Sequence, residues 1–240
     1  MSSQPQTKHD PGDHTTNSAA SGDDVSENYR DLVSRYATYA PIYDRRFAVY
    51  SRRTLSKAVE AIPEDAKRII DVACGTGLFG EMLRHRRPDL ELLGVDISPD
   101  MVEVARHRFD GHESYQWDVG RAESLPADDA SFDVLTCNNA FHLVERPMDG
   151  LAEFHRVLRP GGWLILVDWC REYPTMLALH GWLRLVGRHR RDVRTRAELT
   201  ELVGQAGFEI DAVERFKAGW FWGLMRITAV SPGSGQRTEE

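Results

Sequence analysis

Asp71-Val-Ala-Cys-Gly75-Thr-Gly77-Leu-Phe-Gly80 is the stretch on which the fold is decided. It follows a short apolar run at 68–72 and leads into a segment of helical periodicity at 77–86. A strand, a glycine loop and a helix in that order make a weak glycine pattern informative. The glycines allow a tight turn and let a ligand approach the backbone closely. About twenty residues on, Leu92-Leu-Gly-Val-Asp96 ends a second apolar run in an acid, placed to accept hydrogen bonds from two ribose hydroxyls.

Outward from this loop, strands and helices alternate. Strands are expected at 68–72, 91–96, 115–119, 132–137 and 163–168, with helices at 77–86, 99–109 and 149–158. Such alternation means a parallel sheet covered on both faces, and short, continuously apolar strands fit that burial. Two helices precede the sheet, at 29–39 and 47–62, the second stopped by Pro63. After Asp168 comes an apolar and basic stretch, 174–191. Then Thr195-Arg-Ala-Glu198 gives a capping box, opening a helix that Gly207 closes. Strands near 209–216 and 222–230 follow, joined by a gap too short for a crossover, so they are expected to run antiparallel.

The chain has 240 residues, with 30 Lys+Arg against 37 Asp+Glu, a formal charge of −7. That balance argues against a general nucleic-acid binder, which needs clustered excess basic charge. Three cysteines make no disulfide framework, and a cytoplasmic setting fits best. No apolar run reaches the roughly 18 residues of a membrane span; resting on a membrane surface stays open. Residues 1–28 hold four apolar residues and no aromatic, and 231–240 read alike, so both are expected to be disordered tails flanking one domain, 29–230.

Asp71 discriminates between cofactors. A glycine loop with a distal acid would suit a nicotinamide or flavin dinucleotide, but a carboxylate at this bend would repel a diphosphate and attract a cation. S-adenosylmethionine has an adenosine, no phosphate, and an ammonium beside a sulfonium. The alternative role for Asp71 is to cap the turn.

These blocks, together with Gly94-Val-Asp-Ile-Ser-Pro-Asp-Met101, Arg121-Ala-Glu-Ser-Leu-Pro126, Ser131-Phe-Asp133 and Arg156-Val-Leu-Arg-Pro-Gly-Gly162, resemble the class I S-adenosylmethionine-dependent methyltransferases. The branch in question includes quinone-biosynthesis C-methyltransferases and small-molecule or lipid N- and O-methyltransferases. The resemblance spans 29–230. It implies a doubly wound, Rossmann-like α/β fold with seven strands, the last antiparallel and inserted beside the fifth. It also implies a helical lid at 29–66 and an acceptor-side insertion at 170–195.

Carried over by position, Ala73, Gly75 and Gly77 would lie against the methionine moiety, with Asp71 near its ammonium. Asp96 would bind the ribose, Ile97 and Met101 would pack on the adenine, and Arg121 and Ala122 would stand at the adenine edge. Asn138 would sit on the methionine side. Relatives often carry Asp or Asn where this chain has Arg121, so the usual acceptor for the adenine amino group is missing there; Asp118 and Glu123 are the candidate substitutes.

Methyl transfer demands alignment, exclusion of water and, for some acceptors, removal of a proton. His142, just past the fourth strand, is the candidate base, against a purely structural role. Tyr36 and Tyr43 are candidate lid aromatics, able to face a sulfonium and wall off water. Trp169, Trp182, Trp220 and Trp222, with Phe216, Phe221, Met176, Leu177 and Met225, suggest an apolar acceptor pocket, against core packing for about half of them. Residues 184–196 hold six arginines and one acid, a segment that could meet solvent, an anionic acceptor or anionic lipid.

The expectation is methyl transfer to a small, largely apolar metabolite or lipid-like acceptor, with neither metal nor nucleic acid. The competing readings are an NAD(P)-dependent oxidoreductase and a protein that binds S-adenosylmethionine without transferring its methyl group.

Overall fold

The computed structural model describes residues 27–186 and 192–232. The expected tails therefore lie outside the described residues except at their inner ends, as do 187–191 of the arginine-rich stretch. Two helices open the fold: α1 (Glu27–Tyr39) and α2 (Tyr43–Val59), joined by a 3-10 turn at Ala40–Ile42. Pro41 sits at the start of that turn, and α2 begins four residues before its expected start.

Then come β1 (Arg68–Val72), α3 (Leu78–Arg86), β2 (Glu91–Asp96), α4 (Pro99–Arg108), β3 (Tyr115–Val119), β4 (Phe132–Asn138), α5 (Pro147–Val157) and β5 (Leu158–Trp169). The chain ends with α6 (Pro174–Leu185), α7 (Arg196–Gln205), β6 (Glu209–Ala218) and β7 (Trp222–Val230). The capping box at Thr195 and Glu198 forms as expected, and Gly207 ends α7 with φ +92°.

The seven strands form one sheet in the order β3-β2-β1-β4-β5-β7-β6. The first five pair in parallel, and β7 runs antiparallel between β5 and β6. Strand β5 starts earlier than its apolar run because Leu158 already pairs with Phe132, across an irregularity before Trp163 meets Val134. Ser231, expected in the tail, is buried and exchanges backbone bonds with Gly161 and Gly162.

Two apolar layers sandwich the sheet. One packs α2, α3, α4 and α6 on one face through residues such as Leu55, Phe79, Val102 and Leu183. The other packs α5 and α7 on the opposite face through Leu151, Phe154, Leu199 and Val203. Strand β4 is buried along its whole length, as a central parallel strand should be. The C-terminal ends of β1, β2 and β4 meet where the strand order reverses, which is where open α/β sheets present a binding crevice.

Candidate functional site

A cleft of about 740 Å³, counting its open mouth, lies at that crevice. Its floor is Val72, Ala73 and Gly75 from the first loop, Asp96 and Ile97 from the second, and Cys137, Asn138 and Asn139 from the end of β4. Met101, Gly120, Arg121 and Ala122 form one wall. Tyr29, Leu32, Tyr36 and Tyr43 close the top. Ten of the thirteen expected site residues thus meet around one space: Tyr36, Tyr43, Ala73, Gly75, Asp96, Ile97, Met101, Arg121, Ala122 and Asn138. Asp71, Gly77 and His142 stand behind it.

Gly75 has φ +55° and nothing within 4 Å of where a Cβ would be, so its open side faces free space. Gly77 has a different task. Its Cβ would meet Trp117 at 3.0 Å and Ala105 and Phe109 at 3.2 Å, so it lets the start of α3 close on β3 and the end of α4.

Asp96 is 9% exposed. Its Oδ2 accepts from the Gly75 N–H at 2.8 Å and its Oδ1 from the Ser98 N–H at 2.9 Å. Burial pushes its carboxyl above the usual range, against the pull of those N–H groups. The Thr76 hydroxyl is given to Asp44 at 2.5 Å, and the Gly77 N–H to the Cys74 carbonyl at 3.1 Å. The Gly75 and Gly77 N–H groups and the Thr76 hydroxyl, donors that a diphosphate could use, are thus committed.

Asp71 is 2% exposed and does not line the cleft. Sheet register pairs it with Thr136, and Asn138 is two residues further on the same face. The Thr136 hydroxyl donates to Asp71 Oδ1 at 2.6 Å, and Asn138 Nδ2 donates to the same oxygen at 3.2 Å. Burial raises Asp71 to about 7, opposed by those two hydrogen bonds. An ionised carboxylate only accepts, so the Asn138 amide must turn its Nδ2 toward Asp71. Its Oδ1 is then left as a buried acceptor without a partner among the described residues, on a residue of the cleft floor.

His142 lies in a 3-10 turn, Phe141–Leu143, beside cleft residues Ala140, Leu143 and Val144. Asp168 at the end of β5 binds it twice, through the backbone N–H at 2.7 Å and Nδ1 at 2.6 Å. Its ring stacks on Trp169 with centroids 4.2 Å apart. No hydrogen bond to Nε2 forms among the described residues.

The helices over the cleft are tied down by contacts that sequence reading missed. Tyr29 donates to Glu123 at 2.6 Å, and the Glu145 N–H donates to Tyr29 at 3.3 Å. Glu123 is thereby an anchor for α1, while Asp118 lies away from the cleft beside Arg106. The Arg121 guanidinium lies over the Tyr29 ring at 5.5 Å. Asp44 joins α2 to Thr76 and to Arg108 of α4. Trp169 Nε1 donates to Tyr50, and Tyr50 donates to Asn139, each at 2.8 Å. The pair Asn138-Asn139 after an apolar strand was the available signal for the last link, since Asn tolerates the φ of +57° found at Asn139.

The aromatic set divides. Trp169, Met176 and Met225 are buried, with Met225 in the layer on the opposite face of the sheet. Trp222, Phe221 and Phe216 pack half-buried near Tyr50 and Trp169, whereas Trp182, Trp220 and Leu177 point outward.

A methyltransferase-domain family model matches residues 70–166. Residues 70–166 thus resemble a methyltransferase domain. The chain is 39% identical over 153 residues to demethylmenaquinone methyltransferase of Deinococcus radiodurans, covering 60% of this chain and 63% of that one. It is 40% identical over 111 residues to malonyl-[acyl-carrier protein] O-methyltransferase of Hahella chejuensis, covering 46% and 38%. The chain thus spans less than two thirds of the length of these curated relatives. A methyltransferase of Haloferax volcanii, solved in complex with the Trm112 methyltransferase activator, shares the fold with a TM-score of 0.73. The match covers 82% of this chain and 97% of that one, at 22% identity.

The cofactor of this family is S-adenosylmethionine, and the cleft residues fit it. An unpartnered buried acceptor matches an ammonium donor, a buried carboxylate with spare lone pairs matches ribose hydroxyls, and the open side of Gly75 leaves room between them.

Proposed function

We propose that the chain transfers a methyl group from S-adenosylmethionine to a small, largely apolar or lipid-like acceptor. The observation that carries this reading is Asn138, a cleft-lining residue whose buried Oδ1 has no partner among the described residues and whose amide has a carboxylate behind it. That arrangement invites a cation, and the committed Gly75 and Gly77 N–H groups disfavour a diphosphate. The relative named for methylating demethylmenaquinone supports an acceptor with a long apolar part.

When bound, S-adenosylmethionine supplies a methyl carbon already activated by its sulfonium. The protein's work is to hold, orient and dry. Asn138, backed by Asp71, holds the ammonium, and Asp96 accepts from the ribose hydroxyls. Ala73, Gly75 and Gly77 shape the loop so that the ligand can approach the backbone. Ile97 and Met101 pack on the adenine, and Arg121 and Ala122 offer backbone at its edge.

Residues 29–66 act as a lid, with Tyr36 and Tyr43 excluding water; their rings stand 6.1 Å apart, and burial pushes the Tyr43 hydroxyl far up, so it stays neutral. The segment 170–195 forms the acceptor side. His142 takes the acceptor's proton at Nε2, because Asp168 keeps the other nitrogen protonated.

Calorimetric titration with S-adenosylhomocysteine and with NAD tests the cofactor: binding of the first alone is expected, and binding of NAD alone would replace this reading by an oxidoreductase. Incubating cell extract with the trideuteromethyl cofactor tests the reaction, because an acceptor must gain the labelled methyl group. A product isomeric with its substrate would instead favour use of the cofactor without transfer.

A further inference from the structure

Helix α6 is apolar on both sides. It buries Met176 and Leu183 in the layer it shares with α2. Its opposite side carries Leu177, Ala178, Gly181, Trp182 and Leu185 at helical spacing, all exposed, and Leu185 is 85% exposed. Arg184 is the one charged residue in the helix. A helix that is apolar all round belongs inside a protein or against another apolar phase.

This stripe does not stand alone. Thr175 at the start of α6 donates to the Phe221 carbonyl at 2.6 Å, which seats the helix beside the turn between β6 and β7. The tip of that turn is Trp220, 80% exposed. A Cβ on Gly219, next to it, would lie 3.9 Å from the Arg53 guanidinium of α2. The outward face of α2 carries Arg45, Val49, Arg52 and Arg53, again at helical spacing and all exposed. Arg45, Arg52, Arg53 and Arg184 form no ion pair among the described residues. Both helices bury their inner sides in one core layer, so both outer stripes look out from the same side of the sheet. On a chain of net charge −7 this face is apolar and cationic.

We infer that the face formed by the outer stripes of α2 and α6, with Trp220 between them, docks on an anionic lipid surface. Apolar side chains with tryptophan and arginine in one plane are the combination that settles in the headgroup layer of a membrane. Arginines on both sides of Trp220, without an ion pair among the described residues, complement lipid phosphate. In a two-fold pairing with a second copy they would face one another and repel. Register also orients the face. Trp169 pairs with Leu224, so the β6–β7 turn lies at the end of the sheet that holds the cleft, and an apolar acceptor would reach the lid from the bilayer side. The inference rests on the surface itself and stands or falls separately from methyl transfer.

The test is cosedimentation of the full chain with vesicles of phosphatidylglycerol and phosphatidylcholine, and with vesicles of phosphatidylcholine alone. Binding to the anionic vesicles only, weakening as salt is raised, is expected. Each arginine removed, as in Arg52→Gln and Arg53→Gln, should lower the binding constant about fivefold. Trp182→Ser with Leu185→Ser, and separately Trp220→Ser, should abolish it while leaving thermal unfolding and S-adenosylhomocysteine affinity unchanged.

Absence of binding to anionic vesicles would overturn the inference, as would binding that ignores both groups of substitutions. Sedimentation-velocity data showing a dimer that Leu185→Ser dissolves would give the face to a second copy instead.

Discussion

Asp168 grips His142 at two points, its Oδ2 accepting from the backbone N–H at 2.7 Å and its Oδ1 pairing with Nδ1 at 2.6 Å. The second contact fixes the tautomer: with Nδ1 protonated, the acceptor lone pair is on Nε2. Asp168→Asn keeps the shape but offers the ring the wrong partner. If His142 takes a proton, His142→Gln should lower kcat about 100-fold or more, at the low end for a lost general base. The KM for the acceptor and the affinity for S-adenosylhomocysteine should hardly change. Asp168→Asn should follow the same split and should move the nitrogen-15 resonances of His142 toward the other tautomer. Full activity in His142→Gln would return this residue to packing.

Burial places Asp71 at about 7 in the ligand-free protein, and a bound ammonium favours its ionised form. Below that value, ligand binding therefore releases a proton, so affinity for S-adenosylhomocysteine should rise as pH climbs toward neutrality and level off above it. The gain between pH 6 and pH 8 should be about tenfold for one coupled carboxyl. Asp71→Asn should weaken binding and flatten that part of the profile. The free fold shows the opposite sign: with the folded value raised, the stability this group contributes is full below about pH 4 and is lost as pH rises through about 7.

Two glycines of one loop should fail differently. Gly75→Ala meets open space, so its cost to stability is the left-handed backbone alone, about 1 kcal/mol. The added methyl projects where the ligand must lie, and affinity should fall more than tenfold. Gly77→Ala adds a clash with Trp117 to its own positive φ and should cost about 2–3 kcal/mol, visible as a lower melting temperature. Calorimetry and thermal unfolding on the two variants separate these outcomes.

Asp44 fastens the start of α2 to Thr76 in the glycine loop and to Arg108. Asp44→Ala should loosen the roof more than the fold. We expect about 1 kcal/mol lost from global stability, faster amide exchange at residues 43–50, and quicker release of S-adenosylhomocysteine in stopped-flow displacement.

Much of this architecture was legible in the chain. The apolar runs ending at Val72, Val95 and Cys137 can be buried only in a parallel sheet, and the short gap after Ala218 admits only a hairpin. Most of the cleft lining followed from the loops after those runs. Asp71 was harder, because alternation along β1 does not reveal that Asn138 of a strand 67 positions away stands in front of it. The bond between His142 and Asp168 was likewise hidden. It depends on the register that sets Asn138 beside Val167, which is a property of two strands together. The anchor from Tyr29 to Glu123 joins residues 94 positions apart, and no local pattern encodes it.

The antiparallel wedge of β7 between β5 and β6 imposes an order of assembly. During synthesis, residues 209–218 leave the ribosome before the strand that will join them to the sheet, so β5 waits with a bare edge until 222–230 have emerged. Seven strands become continuous only at that last insertion. A nascent chain halted before it would expose a sticky flank to every neighbour in the polysome.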